Sequence, residues 1–430
     1  MNKKVAFYTL GCKLNFSETS TVARDFVDKG FSIVKDFENA DIHIINTCSV
    51  TDKADKKAKR IISKIIQTSD NPYITVLGCY AQLKPEQIAK INGVNLVIGD
   101  KEKLNVAKHV IDNYDKTNVK VIHSNINDSN SFTSSFSMND RVRSYLKIQD
   151  GCDYPCTYCT IPKARGTSRN DSIESILQNV QTLEKNNISE VVITGVNIGD
   201  FGRKSHDGNL YNLLKTIDNQ STINRFRISS IEPNLLTEDI IKFINDSNSF
   251  LPHFHIPLQS GNDKILKLMK RKYNLKMYQN KIDMIKKTIP DACIGADVIV
   301  GFPGETSENF ESTFNYIDQL NINYLHVFSY SNRTGTVASK LANQVPKAEK
   351  IKRSRSLNRL SNYMRLDFYK KNINTVRKVL FESKIDDDYV VGFTDNYIRV
   401  VVKGDIKMLK KIYNVKLSFI GDDKVYGELN

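Results

Sequence analysis

No stretch of this sequence approaches the roughly 20 consecutive apolar residues that a helix needs to cross a bilayer, which excludes a helical membrane protein. The start, Met1–Asn2–Lys3–Lys4, runs into Val5–Ala6–Phe7–Tyr8, too short an apolar run for a secretory signal, so a cytosolic protein is expected. Thiols stay reduced in the cytosol. Cysteine is sparse and its count odd, at seven, which excludes complete disulfide pairing and favours ligand roles. Tryptophan is absent, yet 40% hydrophobic and 26% charged residues make an ordinary soluble composition, in a chain long enough for two or three domains. Acidic residues fall short of basic ones, 48 against 62, and the net charge of +14 favours a polyanionic partner.

That excess is concentrated. Between Lys340 and Lys378 stand twelve Lys and Arg against two acids, Glu349 and Asp367. A solvated helical face is the plain reading of such a run. The density, with Tyr363, Phe368 and Tyr369 interleaved, favours contact with nucleic acid.

The sharpest motif is Gly151–Cys152–Asp153–Tyr154–Pro155–Cys156–Thr157–Tyr158–Cys159, directly behind a strand-like run, Ser144 to Gln149. Thiolates suit zinc or iron–sulfur clusters, and a cubane held by protein alone takes four. The next cysteine downstream is Cys293, in an apolar strand-like run that reads as core packing. Three thiolates on a four-iron cluster leave one iron open to another ligand, as a catalytic zinc keeps one position free. A zinc knuckle completed by a distant histidine, or three unrelated buried thiols, are the competing readings.

Upstream, Val5–Leu10, Asp41–Asn46 and Tyr73–Leu77 are short apolar runs separated by helix-like stretches near Glu18–Lys29 and Ala54–Ile66. This alternation predicts a parallel sheet with crossover helices. Each run ends in a cysteine: Cys12, Cys48 and Cys79. Strand C-termini in open α/β sheets share one edge, so the three can converge and predict a second cluster with an open iron, buried structural cysteine being the competing reading of any one alone. A basic helix, Lys53–Lys64, follows Cys48.

The polar segment from Ser124 to Asn139 reads as a linker. Beyond it, Ser144–Gln149, Val191–Thr194, Arg225–Ser229, His253–Pro257, Cys293–Val300 and Tyr324–Phe328 predict six β/α steps, a partial barrel rather than the eight-fold closed form. His253 and His255 fall on one face of their strand; barrel lining or core is favoured for them over a metal pair. From about Asn374 the pattern becomes five short strand-like runs in some 55 residues, the size of a small RNA-binding β-barrel. The expected class is therefore α/β multidomain. An N-terminal parallel α/β domain spans 1–125, a linker 126–140, a partial (β/α)6 barrel with a basic helical stretch 141–373, and a small β-barrel 374–430.

The three-cysteine loop resembles that of the radical S-adenosylmethionine (SAM) enzymes. Gly11–Cys12–Lys13–Leu14–Asn15, Asn46–Thr47–Cys48 and Gly78–Cys79–Tyr80–Ala81–Gln82 resemble the N-terminal motifs of the methylthiotransferases, and the C-terminal segment is similar to their TRAM domain. Lys163–Ala164–Arg165–Gly166 resembles a family motif that often has tyrosine at the place of Lys163.

The resemblance implies two [4Fe–4S] clusters, an auxiliary one on Cys12, Cys48 and Cys79 and the radical-SAM one on Cys152, Cys156 and Cys159. It further implies Gly195 near the SAM amino group, Glu232 near the ribose hydroxyls, Gln259 and Ser260 near the carboxylate, and Tyr158 in the adenine pocket. By resemblance, one SAM methylates a sulfur on the auxiliary cluster; a second is cleaved to a 5′-deoxyadenosyl radical that starts replacement of C–H by C–S–CH₃. The motif around Cys12 resembles the subgroup that modifies C2 of N6-threonylcarbamoyladenosine beside the tRNA anticodon. The alternatives are N6-isopentenyladenosine or a ribosomal protein as substrate, or a zinc-containing RNA-binding protein without catalysis. An electron donor of flavodoxin or ferredoxin type and a monomeric state are also implied.

Overall fold

The computed structural model describes residues 3–35, 39–116, 118–126, 132–138, 141–204 and 208–430. The first part alternates strands and helices: Lys4–Thr9 (β1), Lys13–Asp28 (α1), Ser32–Ile33 (β2), Ile42–Thr47 (β3), Asp52–Thr68 (α2), Tyr73–Gly78 (β4), Cys79–Leu83 (α3), Pro85–Ala89 (α4), Val94–Ile98 (β5), Val106–Asn113 (α5) and Lys120–Ile122 (β6). The strands form one parallel sheet in the order β2-β1-β3-β4-β5-β6. β3 and β4 are buried along their whole length, as strands covered on both faces should be. The chain steps from β1 to β2 on one side and to β3 on the other, so the order reverses between β1 and β3. Ligand crevices form at such reversals, and Cys12 and Cys48 follow these two strands.

Part of the expected linker is structured. Within 126–140, residues 127–131, 139 and 140 lie outside the described residues. Ser135–Phe136 (β7) pairs antiparallel with Arg143–Lys147 (β8). Ser135 is buried with its hydroxyl 3.0 Å from that of Ser17, and Arg24 donates to the Phe136 carbonyl at 2.9 Å. Polar composition marks this segment as non-core, but its hydroxyls are spent on the fold: Ser135 on α1, Ser134 on Asn179 and Ser137 on the Tyr145 N–H.

The middle part runs Gln149–Asp150 (β9), Ile161–Arg165 (α6), Arg169–Asn170 (β10), Ile173–Lys185 (α7), Glu190–Thr194 (β11), Leu210–Gln220 (α8), Phe226–Ile228 (β12), Glu238–Asp246 (α9), His253–His255 (β13), Asp263–Leu268 (α10), Leu275–Thr288 (α11), Cys293–Val300 (β14), Ser307–Gln319 (α12) and Tyr324–Ser329 (β15). β8, β11 and β12 are parallel neighbours, as are β13, β14 and β15, and a parallel bridge from Phe226 to Phe250 joins the two sets. The expected six-step open barrel is thus present, with β7 as an added antiparallel edge. Ser172, Asn209, Thr237, Asn262, Asn274 and Thr306 cap the helices by accepting first-turn N–H groups.

Lys347–Asn372 (α13) lies along β15, burying Arg353, Leu357, Leu360, Met364 and Phe368 at helical spacing. Val376–Lys384 (β16), Tyr389–Thr394 (β17), Arg399–Lys403 (β18), Ile412–Gly421 (β19) and Lys424–Leu429 (β20) close into the expected small barrel. Its core takes in Phe368 and Tyr369 of α13 and Cys293 of β14. Arg225 and Arg227, flanking the start of β12, donate to backbone carbonyls of Thr394 and its neighbours at 2.7–3.2 Å, while Glu190 holds both guanidiniums. No described helix is long and apolar enough to cross a membrane.

Candidate active site

The loop after β9 carries Cys152, Cys156 and Cys159. Each sulfur accepts an N–H: Cys152 from the Tyr154 backbone and Cys159 from the Ile161 backbone, both at 3.4 Å, and Cys156 from Arg271 Nη1 at 3.1 Å. Donors aimed at sulfur favour thiolate over thiol. Burial works the other way, pushing Cys152 up to about 12 and Cys159 to about 11. These groups stay protonated until a metal displaces the proton, which is the behaviour of cluster ligands. A cavity of about 570 Å³ borders all three. The donor set fits an iron–sulfur cluster.

The other three cysteines lie at the carboxyl edge of the N-terminal sheet. Cys12 caps α1, Cys79 opens α3, and Cys48 follows β3. Gly11 has φ +107°, and a Cβ there would sit 2.7 Å from that of Cys48, so only glycine lets the two loops approach. Burial raises Cys48, and Cys79 to about 12. This set fits a second cluster on the same chemical grounds.

A buried charge network joins the two loops. Arg165, 1% exposed, donates to Asn15 Oδ1 at 2.7 Å, to Glu18 at 2.9 Å and to Asp150 at 3.0 Å. Lys103 and Lys147 complete it, each within 3.1 Å of Glu18. Burial would raise the Glu18 carboxyl, but Arg165, Lys103 and Lys147 outweigh it and hold it far below the usual carboxylate range. A second strap runs from the loop after β15: Arg333 donates to Ser49 at 2.6 Å and to Asp55 at 2.9 Å.

Between the halves lies a cavity of about 260 Å³ whose lining includes Thr51, Tyr158, Cys159, Gln259 and Asp297. Two of the expected SAM contacts, Tyr158 and Gln259, are therefore on its wall. Glu232 is paired with Arg271, whose guanidinium also lies 3.4 Å from the Tyr158 hydroxyl. Gly195 packs against Gln149, with no room for a Cβ. Ser260 is buried, its hydroxyl 3.4 Å from that of Thr313 in α12, and does not line this cavity. Arg271 and Arg333 escaped the sequence reading. Arg271 stands between Lys270 and Lys272 and reads as surface, although its side chain is 3% exposed.

The two histidines of β13 do not pair with each other. His253 is buried, stacked on Tyr397 and 2.9 Å from the Tyr324 hydroxyl. His255 lies 2.9 Å from Asp297, which His326 also approaches at 3.3 Å; among the described residues these three form a set able to hold a metal ion. Burial would raise Asp297, but hydrogen bonds from both histidines bring it below the usual carboxylate range.

The basic stretch divides by face. Lys352, Arg355, Arg359 and Tyr363 are exposed on α13, whereas Phe368 and Tyr369, counted above with the RNA-facing aromatics, are buried. α2 likewise exposes Lys53, Lys56, Lys57 and Lys64.

Residues 146–317 match the family model described as Radical SAM superfamily, and residues 4–99 match that of the Uncharacterized protein family UPF0004. The chain is 37% identical over 422 residues to the threonylcarbamoyladenosine tRNA methylthiotransferase MtaB of Bacillus subtilis, covering 96% of this chain and 93% of that one. Identity to the Thermotoga maritima protein of the same description is 34%, over 98% and 96%. To the tRNA-2-methylthio-N(6)-dimethylallyladenosine synthase of Endomicrobium trichonymphae it is 30%, over 98% of both chains. In fold, the chain resembles the radical S-adenosylmethionine methyltransferase TsrM of Kitasatospora setae, with a TM-score of 0.56 at 12% identity, covering 76% of this chain and 73% of that one.

Proposed function

The chain belongs to the radical SAM methylthiotransferases, and we propose that it adds a methylthio group to C2 of N6-threonylcarbamoyladenosine beside the anticodon of tRNA. The observation that carries this choice is full-length likeness. Relatives described as threonylcarbamoyladenosine methylthiotransferases match at 33–37% identity, against 30–31% for dimethylallyladenosine synthases. Gly11–Cys12–Lys13–Leu14–Asn15 agrees with it.

The enzyme uses SAM and two [4Fe–4S] clusters. We assign one cluster to Cys152, Cys156 and Cys159 and the other to Cys12, Cys48 and Cys79. When bound, the first would supply the electron that cleaves SAM and the second would carry the sulfur that is methylated and transferred. The chain itself positions and insulates. Backbone N–H groups of Tyr154 and Ile161 and the guanidinium of Arg271 orient the three loop sulfurs. Arg271 also fixes Glu232 for the ribose hydroxyls and Tyr158 for the adenine. Gly195, packed on Gln149 and Ile198, presents its backbone to the amino group, and Gln259, on the cavity wall, serves the carboxylate, while Ser260 is buried behind it against Thr313. Arg165 and Arg333 tie the two cysteine-bearing parts of the chain together and so keep them in register. A flavodoxin- or ferredoxin-type protein delivers the electron to a monomeric enzyme in the cytoplasm.

Mass spectrometry of nucleosides from tRNA, in cells with and without the gene, tests the reading. The expected result is loss of the methylthio form of N6-threonylcarbamoyladenosine and accumulation of its precursor. Loss of the isopentenyl counterpart instead would transfer the chemistry to that substrate. No change in either, in a strain lacking other methylthiotransferases, would overturn tRNA as substrate.

A further inference from the structure

Away from both cysteine sites, a cavity of about 420 Å³ opens where the outer edge of β15, helix α13 and the β17–β18 turn meet. We propose that it holds one base of the substrate RNA, directly next to the nucleotide being modified, stacked against its aromatic wall with the adjoining phosphate between Arg365 and Arg399. The inference rests on the tRNA reading above and adds a second nucleotide subsite to it.

The wall is a column of rings. Phe393 and Tyr397 stack at 5.0 Å and 25°, and Tyr397 and Tyr324 at 6.1 Å and 29°. Every base has a π face that can extend such a column, whatever its sequence. Opposite, α13 presents Asn358 and Asn362, one turn apart and exposed. An amide carries both donors and an acceptor, which suits the edge of an unpaired base. Asn358 spends its Nδ2 on Ser354, at 2.7 Å, and its oxygen has no partner among the described residues.

Arg365 supplies the charge. Its Nη2 reaches Asn362 at 2.5 Å and Asp423 at 3.7 Å, but its Nε is buried without a hydrogen-bond partner. The guanidinium is part-exposed beside the cavity and, among the described residues, only its Nη2 is engaged, so an acceptor that arrives with a ligand can meet the rest of the fork. An inorganic anion would use the arginines and ignore the rings, and an apolar ligand would leave the guanidiniums and the amides unmet. A base with its phosphate uses both.

Position specifies which base. His326 lies on this cavity's wall and 3.3 Å from Asp297, and Asp297 lies on the wall of the cavity shared with Tyr158 and Cys159. One layer of side chains therefore separates the two cavities, a spacing suited to adjacent nucleotides of one strand. The exposed Lys352, Arg355 and Arg359 of α13 continue outward from it as a track for the phosphates.

The test uses the cluster-loaded enzyme under anaerobic conditions and anticodon-arm RNAs carrying 2-aminopurine on one or the other side of the target adenosine. Wild type should bind both RNAs and quench the fluorescence of one of them. Arg365→Ala and Asn358→Ala should each remove that quenching, with RNA binding weakened by about tenfold. Quenching at wild-type strength in both variants would overturn the subsite. So would binding by wild type without quenching at either position, which leaves the tRNA reading intact. No binding of either RNA by wild type would overturn the tRNA reading and the subsite together. Asn358 is an exposed helix position, so its variant decides the matter should Arg365→Ala lose iron or unfold.

Discussion

Arg165 donates to the side-chain oxygen of Asn15 at 2.7 Å, tying the helix that follows Cys159 to the helix that Cys12 caps. The fork of one guanidinium also reaches Glu18 and Asp150, so a single side chain sets how the two candidate cluster loops face each other. Lysine cannot reproduce a fork.

Replacing Arg165 with methionine leaves Glu18 and Asp150 short of their main counter-charge in a buried site. Removing one partner of a buried ion pair costs about 3–5 kcal/mol. The variant should melt well below wild type and, where it folds, retain about four irons against about eight, because the auxiliary loop loses its strap. Thermal denaturation and iron analysis check both. Wild-type iron content in Arg165→Met would remove the strap from the account.

Cys152→Ala should abolish reductive cleavage of SAM while leaving the other cysteine set free to carry iron. Detection of 5′-deoxyadenosine at wild-type rates after that substitution would refute the role given to the loop.

Glu190 gives the fold an acid-sensitive joint. Burial would raise its carboxyl, but Arg227, Arg225 and Arg143 outweigh it and bring it down to about 2, from an ordinary 4.5. A depressed carboxylate stabilises the folded state above pH 4.5, and the contribution fades as pH falls from there through about 2. At about 1.4 kcal/mol per unit, that is roughly 3 kcal/mol at neutral pH. Glu190→Gln should therefore be less stable than wild type at pH about 7, and the difference should narrow at pH about 3. Denaturant midpoints at the two pH values measure it; an unchanged difference would assign the loss to packing.

RNA affinity should fall steeply with salt, since phosphates displace counterions when they meet a basic face. Substituting Lys352, Arg355 and Arg359 together with alanine should lower the slope of log affinity against log salt by about 2. Filter binding between about 50 and about 200 mM salt reads this directly. A slope unchanged in the triple variant would move the RNA track elsewhere, with the basic face of α2 next in line.

What could be read from sequence followed punctuation. Val5–Leu10, Asp41–Asn46 and Tyr73–Leu77 stood out because a cysteine follows each, and the sheet places those ends on one edge. β5 and β6 belong to the same sheet but end at Ile98 and Ile122 with nothing to mark them, and they passed unread. β7 was hidden by serines whose hydroxyls bond α1, α7 and β8 rather than water. The arginines were the larger omission. A cation shows its partner only in three dimensions, so Arg165 appeared only as part of a motif, while Arg271, between two lysines, and Arg333 were not singled out. The aromatics of α13 failed for a simpler reason: with a helical period, Phe368 falls on the stripe of Leu357, Leu360 and Met364, and Tyr363 does not.

The docking of the last barrel has a consequence for biogenesis. All six cysteines of the two candidate cluster sites lie within the first 159 residues, whereas the carbonyls that receive Arg225 and Arg227 belong to Lys378, Phe393, Thr394 and Asp395. On a chain that emerges from the ribosome N-terminus first, at roughly 5–20 residues per second, the ligand loops appear many seconds before that cap. Until it arrives, Cys293, Phe368 and Tyr369 lack the partners that cover them. There is therefore an interval in which all six candidate ligands have emerged while the face that the last barrel covers is still open.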